Sequence, residues 1–450
     1  MTFVQILSLA LLLAALVLSI SRRINIGLLT LTAALVLMKA SGTDVKTVFA
    51  AFPAQLVVLI IGVTLLFAHA ERSGAVQWLV EQAVRVTRGN RAVIPWAGFA
   101  IGAGMSTIGA FPTAPISLLL PMLALLAKRH RLNYTMLAVV CVLGSNAAGL
   151  SPLSPAGALI KTIADSKGIT YSPWKLYGVV LALHVVVCAV LLAGDATRSR
   201  LRPREVFAMS VGHAGAASRS DGPATPHSAG SSSTHATGGD EARTPAAAAP
   251  DDAPYLLASL ASLVAFVGLV LAFKFDVGLT ALALALLLQV VFRADERQLI
   301  AAVPWNVVIL LSGLVVYLGM LDTVGTLDSV ESSLSSIGSP VLLVFVLCYV
   351  TGIISNMESS TLAVLGVMVP VGLGVTSGSS SDAFAVMVAV TMSAAVVVMN
   401  PLHIAGALII SNTEESRQHA QFRNLLLLGI SLTAVVPGLI ALYPVLTGVG

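Results

Sequence analysis

The chain has 450 residues, 57% of them hydrophobic and only 10% charged, and its mean hydropathy is +0.93. In soluble proteins roughly a quarter of residues are charged, so this composition excludes a soluble domain and reads as an integral membrane protein embedded in a lipid bilayer. The formal charge of +4 comes from Lys and Arg in short connections between apolar segments, where they set topology, so no nucleic-acid partner is implied.

The first apolar segment, Thr2 to Ile20, lacks a basic n-region and runs directly into Arg22-Arg23. It therefore reads as a retained span with its N-terminus outside. A span needs roughly 20 apolar residues. Five candidates precede residue 195, at about 2–20, 24–40, 54–70, 134–165 and 174–193. Five more follow, at about 254–272, 276–292, 303–321, 382–412 and 424–446. Extra apolar sequence lies between the third and fourth span of each half, at about 92–127 and 340–374, with polar breaks at Ser106-Thr107 and Ser355-Asn356. Non-helical backbone at membrane depth survives only against protein or a water-lined cavity, so each is read as a re-entrant hairpin. Before the hairpins, Val76, Leu79, Val80, Ala83 and Val84 recur at helical spacing opposite Gln77, Glu81, Arg85 and Arg88, which describes an interfacial helix. Leu327, Val330 and Leu334 suggest its counterpart, so the pair would act as arms joining a span to a hairpin.

The halves repeat one another. Ser151-Pro-Leu-Ser-Pro-Ala-Gly-Ala-Leu-Ile160 returns as Asn400-Pro-Leu-His-Ile-Ala-Gly-Ala-Leu-Ile409, seven identities in ten positions. Pro53 with Pro304, Gly62 with Gly313 and Gly74 with Gly325 keep a spacing of 251, and Ser106 with Ser355 a spacing of 249. Five crossings per half is an odd number, so the repeats must be inverted, an architecture of secondary transporters whose site lies where the breaks meet. The expected fold is thus an all-α polytopic membrane protein of two inverted repeats, each with five transmembrane helices and one hairpin. The first repeat covers 1–195 and the second 254–450, and 196–253 is a Ser-, Gly-, Ala- and Pro-rich disordered tether. With both termini outside and the tether in the cytoplasm, 19 of the 25 Lys and Arg fall inside, as the positive-inside rule requires.

Four breaks carry the chemistry: Ser106-Thr-Ile-Gly109, Gly149-Leu-Ser-Pro-Leu-Ser-Pro155, Ser355-Asn-Met-Glu-Ser359 and Asn400-Pro-Leu-His403. Interrupting a helix frees carbonyls at one end, suited to a cation, and N–H groups at the next start, suited to a carboxylate. The expected substrate residues are Ser106, Thr107, Ser355, Asn356, Ser359 and Asn400. Those for a coupling ion are Ser106, Gly149, Ser151, Ser154, Ser355, Asn400, Glu358 and His403. Glu358 and His403 are ionisable groups at depth, costly enough to be functional candidates. His69 and His184, on apolar spans away from any break, read as structural histidines, and Cys141, Cys188 and Cys348 as packing residues, with neither a disulfide nor a zinc site suggested. No catalytic group, metal site or organic cofactor is expected.

The stretch from Phe49-Ala-Ala-Phe-Pro53 through Leu66-Phe-Ala-His-Ala-Glu-Arg-Ser-Gly74, Trp78-Leu-Val-Glu81 and Ile94-Pro-Trp96 to Gly149-Leu-Ser-Pro152 resembles the MatC-type dicarboxylate (malonate) carriers of the ion transporter superfamily. The resemblance implies a homodimer with a fixed scaffold and an elevator-type transport domain carrying the hairpins and broken helices. It implies a dicarboxylate substrate, malonate or a C4 acid, moved across the inner (cytoplasmic) membrane by a cation gradient. The related divalent-anion sodium symporters carry Ser-Asn-Thr at both tips. Ser106, Ser355 and Asn356 keep part of that pattern, and Ile108 and Met357 depart from it. Sodium is the expected coupling ion from the neutral oxygen donors, with a proton on Glu358 or His403 as the alternative. Rival readings are a citrate carrier, an arsenite exporter or a sodium/proton antiporter of the same architecture, then a channel or an intramembrane enzyme.

Deleting most of residues 205–250 should leave uptake nearly intact, because such a tether contributes little packing. Transport by the shortened, membrane-inserted protein in proteoliposomes checks this, and a stable but inactive protein would refute it.

Overall fold

A computed structural model describes residues 1–22, 24–201, 253–335, 340–358, 360–374 and 380–446. Most of the expected tether, and Ser359, lie outside the described residues. Among them every regular element is an α-helix. The first half holds α1 (Phe3–Arg22), α2 (Ile26–Ser41), α3 (Val45–Ala50), α4 (Ala54–Arg72) and α5 (Ala75–Val86). It continues with α6 (Ile94–Thr107), α7 (Thr113–His130), α8 (Tyr134–Ala148), α9 (Pro155–Ser166) and α10 (Pro173–Leu201). The second half holds α11 (Ala253–Phe273), α12 (Val277–Phe292), α13 (Glu296–Ala302), α14 (Trp305–Thr323) and α15 (Thr326–Ser335). Then come α16 (Pro340–Met357), α17 (Thr361–Leu373), α18 (Ser380–Ala395), α19 (Ile404–Ser411), α20 (Glu415–Ile440) and α21 (Leu442–Leu446).

Six described stretches are long and apolar enough to cross a membrane: Phe3–Arg22, Val45–Arg72, Pro173–Thr197, Ala253–Phe273, Trp305–Thr323 and Glu415–Pro444. Two short helices, α3 and α13, stand where the sequence reading had only connections. Each begins at an aspartate, Asp44 and Asp295, and each leads to a proline, Pro53 and Pro304, at the N-cap of the next long helix. Proline there costs nothing, because the first N–H groups of a helix have no intrahelical partner. Gly74 and Gly325, at φ +76° and +68°, turn the chain out of α4 and α14 into α5 and α15, a conformation that side chains with a Cβ resist.

The halves interlock through glycine. α2 packs on α14, and α4 on α12. A Cβ on Gly27 would overlap the backbone of Ile309 and Leu310, and one on Gly313 the carbonyl of Gly27. At the other crossing a Cβ on Gly62 would overlap the Gly278 carbonyl, and one on Gly278 would stand 2.7 Å from Leu59 N. The two crossings exchange equivalent positions, since Gly27 and Gly278, like Gly62 and Gly313, are 251 residues apart. Without a hydrophobic drive between helices in lipid, such close backbone approach supplies the packing.

α6 and α7, and α16 and α17, pack as pairs on this frame's flank, α6 lying along α8 and α16 between α18 and α20. Gly144 admits the Phe99 carbonyl, 2.7 Å from where a Cβ would be. Polar caps start several helices: Asn25 accepts from Gly27 N at 2.8 Å, Asn133 from Thr135 N at 3.1 Å and Asp276 from Leu279 N at 2.8 Å.

Gly313→Ala should lower the thermal midpoint and the yield of monodisperse protein in detergent, at a cost of about 1–3 kcal/mol for an overpacked contact. Gly268→Ala, where an added Cβ meets nothing within 4 Å, is the control and should be neutral. Equal behaviour of the two on fluorescence-detected size exclusion would refute the close-crossing account.

Candidate functional site

The first break separates α8 from α9. Ser154 at the N-cap of α9 accepts from Gly157 N at 3.4 Å, while its hydroxyl lies against the carbonyls of Gly149 and Ser151. Pro155 fills the first helical position and has no N–H to offer. Ser151 Oγ donates to the Thr107 carbonyl at 2.7 Å, tying the break to the end of α6. Thr107 Oγ1 in turn meets Tyr177 OH at 2.7 Å.

The second break, between α18 and α19, is arranged alike with different side chains. Asn400 Oδ1 accepts from Leu402 N at 2.9 Å, and its Nδ2 donates to Asn356 Oδ1 at the end of α16. Asn356 Nδ2 donates to Thr433 Oγ1 at 2.6 Å, and Ser355 Oγ to the Ala394 carbonyl at 2.7 Å. His403 takes the place of Ser154 as N-cap, its Nδ1 accepting from Ala405 N at 3.3 Å. Gly157 and Gly406 are needed where the helix starts wrap back, since a Cβ would overlap the carbonyls of Ser151 and Asn400.

Both breaks open on one cavity of ≈ 760 Å³. Gly149, Leu150 and Pro155 of the first break and Pro401, Leu402 and His403 of the second line it. The connections Phe111–Thr113 and Met357–Glu358, and Thr361 at the start of α17, complete that wall. Opposite stand Ser19 of α1, Asn25 at the start of α2 and Asn306 of α14. Among the described residues that line it there is no Lys or Arg, and Glu358 is the one acid. Glu358 is 8% exposed and accepts from Ser19 Oγ at 3.5 Å. His403 is 6% exposed. Among the described residues Ser106 Oγ, Thr361 Oγ1, Ser393 Oγ and His403 Nε2 are buried without a hydrogen-bond partner.

Of the residues expected from sequence, Gly149, Glu358 and His403 line the cavity. Ser106, Thr107, Ser151, Ser154, Ser355, Asn356 and Asn400 stand behind its wall, most of them joined in the bonds above, and Ser359 lies outside the described residues. Sequence reasoning missed Ser19, Asn25, Asn146, Asn306 and Thr361. Asn146, three residues before Gly149, and the Asn25 cap were legible polar signals. The pairing of Asn25 Nδ2 with the Asn306 carbonyl at 2.6 Å was not, because 281 residues separate them. His69 pairs with Tyr255 OH at 2.7 Å and His184 Nδ1 with the Val180 carbonyl at 2.9 Å, neither among the cavity's lining residues.

At the far end of α7, Lys128 Nζ meets Glu414 at 2.6 Å, with Arg417 at 3.8 Å. The bond to Lys128 and its charge, and then the charge of Arg417, hold the Glu414 carboxyl below the usual range.

Residues 16–395 match the citrate transporter family, CitMHS. No curated protein matches the chain. The matched region takes in α2, α4, α12 and α14, the helix pairs α6–α7 and α16–α17, the first break and the helix that leads into the second. A helical, multi-pass chain whose two halves share one cavity, matched over most of its length, belongs to the citrate transporter family of the ion transporter superfamily and is a secondary transporter of a small anion, not an enzyme.

Proposed function

We propose that this carrier moves a small di- or tricarboxylate across the cytoplasmic membrane by alternating access, drawn by a cation gradient. The observation that carries the reading is the cavity between two broken helices, walled by hydroxyls, amides and helix starts, with no Lys or Arg among its described lining residues. The family favours citrate, and the resemblance of the first third to MatC-type carriers favours a dicarboxylate such as malonate or a C4 acid.

Two inverted repeats, with α6–α7 and α16–α17 as re-entrant hairpins, account for the matching order of α1–α10 and α11–α20, with the short α21 added at the end of the second half. Contacts support the number of crossings, and charge supports the orientation with both termini outside. Arg72 with Gln298, Asn133 with Asp195, Asn25 with Asn306 and Lys128 with Glu414 join segments that this topology places inside. Gln5 with the carbonyls of Val324 and Gly325, and Ser8 with Thr326, join segments it places outside. In that frame the cavity reaches the inner segments at Asn25 and Asn306, so this conformation faces inward. The glycine-locked α2, α4, α12 and α14 suit the scaffold, and α5 and α15 the arms of an elevator-type transport domain. The homodimer is proposed from the same resemblance.

Bringing a dianion into a cell with a negative interior costs roughly 2.3 kcal/mol per charge per 100 mV, so uptake needs cations. Sodium is our choice. The unpartnered Ser106 hydroxyl and the helix-end carbonyls around Ser151, Ser154, Ser355 and Asn400 are neutral oxygen donors suited to a hard cation. Glu358 and His403 offer the proton alternative.

In proteoliposomes, uptake of a labelled substrate should saturate and should be competed by members of a panel of malonate, succinate, malate, tartrate and citrate, but not by acetate. Competition by acetate alone, or linear uptake indifferent to any gradient, would overturn the carboxylate-carrier reading.

With sodium as the coupling ion, Glu358→Gln should slow uptake yet keep its sodium dependence, and an imposed pH gradient alone should drive nothing. Uptake driven by pH in sodium-free buffer and lost in Glu358→Gln or His403→Ala would replace sodium by a proton.

A further inference from the structure

The two breaks repeat in sequence but differ in what they offer a guest. At the first, the Ser154 hydroxyl is engaged with the carbonyls of Gly149 and Ser151, and Pro155 presents no N–H. The helix that starts there brings no spare side-chain donor to the cavity. At the second, His403 caps α19 through Nδ1, which accepts from Ala405 N. A nitrogen that accepts carries no proton, so the neutral ring bears its hydrogen on Nε2. That N–H is buried without a partner, in a residue 6% exposed that lines the cavity.

A second orphan belongs to a residue lining the same cavity. Thr361, the first residue of α17, lines the cavity, and its Oγ1 is also buried with no partner. Burying such groups costs free energy unless a guest supplies the missing partner. Both stand at helix N-termini, α17 of 13 residues and α19 of eight, where the aligned peptide dipoles favour a negative charge. An Nε2–H and a hydroxyl, each beside a helix start, are donors from which a carboxylate can accept. Of the residues expected from sequence to hold the substrate, Asn356 and Asn400 are bonded to each other and Ser355 to the Ala394 carbonyl, while Ser106, whose Oγ is also without a partner, is not among the cavity's lining residues.

We propose that a carboxylate of the substrate is held in the second half of the chain, between His403 Nε2–H and the Thr361 hydroxyl at the starts of α19 and α17. This makes the halves unequal, the second recognising the anion. The proposal rests on the carboxylate-carrier reading above and deepens it.

The test uses the full-length carrier in proteoliposomes, with succinate and citrate as probes, reading KM and kcat separately. His403→Ala and Thr361→Val should each raise KM about 10- to 100-fold, the factor carried by a lost hydrogen bond to a charged group. His403→Gln and Thr361→Ser, which keep a donor, should recover most of the affinity. Wild-type KM in the Ala and Val variants would overturn the proposal. So would a loss confined to kcat, or a Gln variant no better than Ala, the pattern of a proton relay or a structural cap. If an Ala or Val variant fails to insert, the Gln and Ser variants decide, since they must then bind like wild type. Wild-type protein that takes up neither probe and is inert to the wider panel would overturn the carboxylate reading itself, and the subsite with it.

Discussion

Two glycine crossings hold this molecule together. Gly27 against Gly313, and Gly62 against Gly278, bring backbones so close that a single Cβ on any of the four would strike the neighbouring helix. In lipid, helices gain nothing by hiding apolar surface from one another, so contact distance itself is the source of attraction. Because each crossing joins one half to the other, neither half can be displaced alone, and the rest of the chain is arranged around a fixed frame.

Against that frame lie the parts that break a rule of membrane structure. Backbone groups inside a bilayer must be satisfied by protein or by an enclosed aqueous cavity. Both breaks lie against protein and a shared cavity, and a side chain ties each to a neighbouring helix end. Ser151 bonds the carbonyl of Thr107, and Asn400 bonds Asn356. These bonds make each break and its adjacent helix pair one packed unit. Ser19 reaching Glu358 is a contact of the frame side with that unit.

Much of the fold was legible in the sequence. Most apolar runs fall on the observed helices to within a few residues, because a lipid-exposed segment must be apolar and helical whatever it packs against; α10 and α20 reach further, on to Leu201 and back to Glu415. Pro53 and Pro304 mark helix starts and Pro155 marks a restart, since proline restricts the backbone in any tertiary setting. The short helices α3 and α13 escaped notice because six or seven residues capped by an aspartate carry too little periodicity to stand out.

The candidate site was legible by position and not by contact. Sequence identified the breaks, and with them Gly149, Glu358 and His403, because interruption and buried charge are local properties of the chain. It could not tell which polar groups near a break face a guest and which are spent on neighbours. Asn356 and Asn400 satisfy one another, whereas Thr361 Oγ1 and His403 Nε2 remain without partners. It could not find Ser19, Asn25 or Asn306, which come from the frame across the cavity. What the sequence by itself determined is what lipid and backbone geometry impose residue by residue: helices, interruptions and the order of the two halves. Only the tertiary structure decided which hydrogen bonds close and which stay open, because that depends on residues up to 339 positions apart meeting in space.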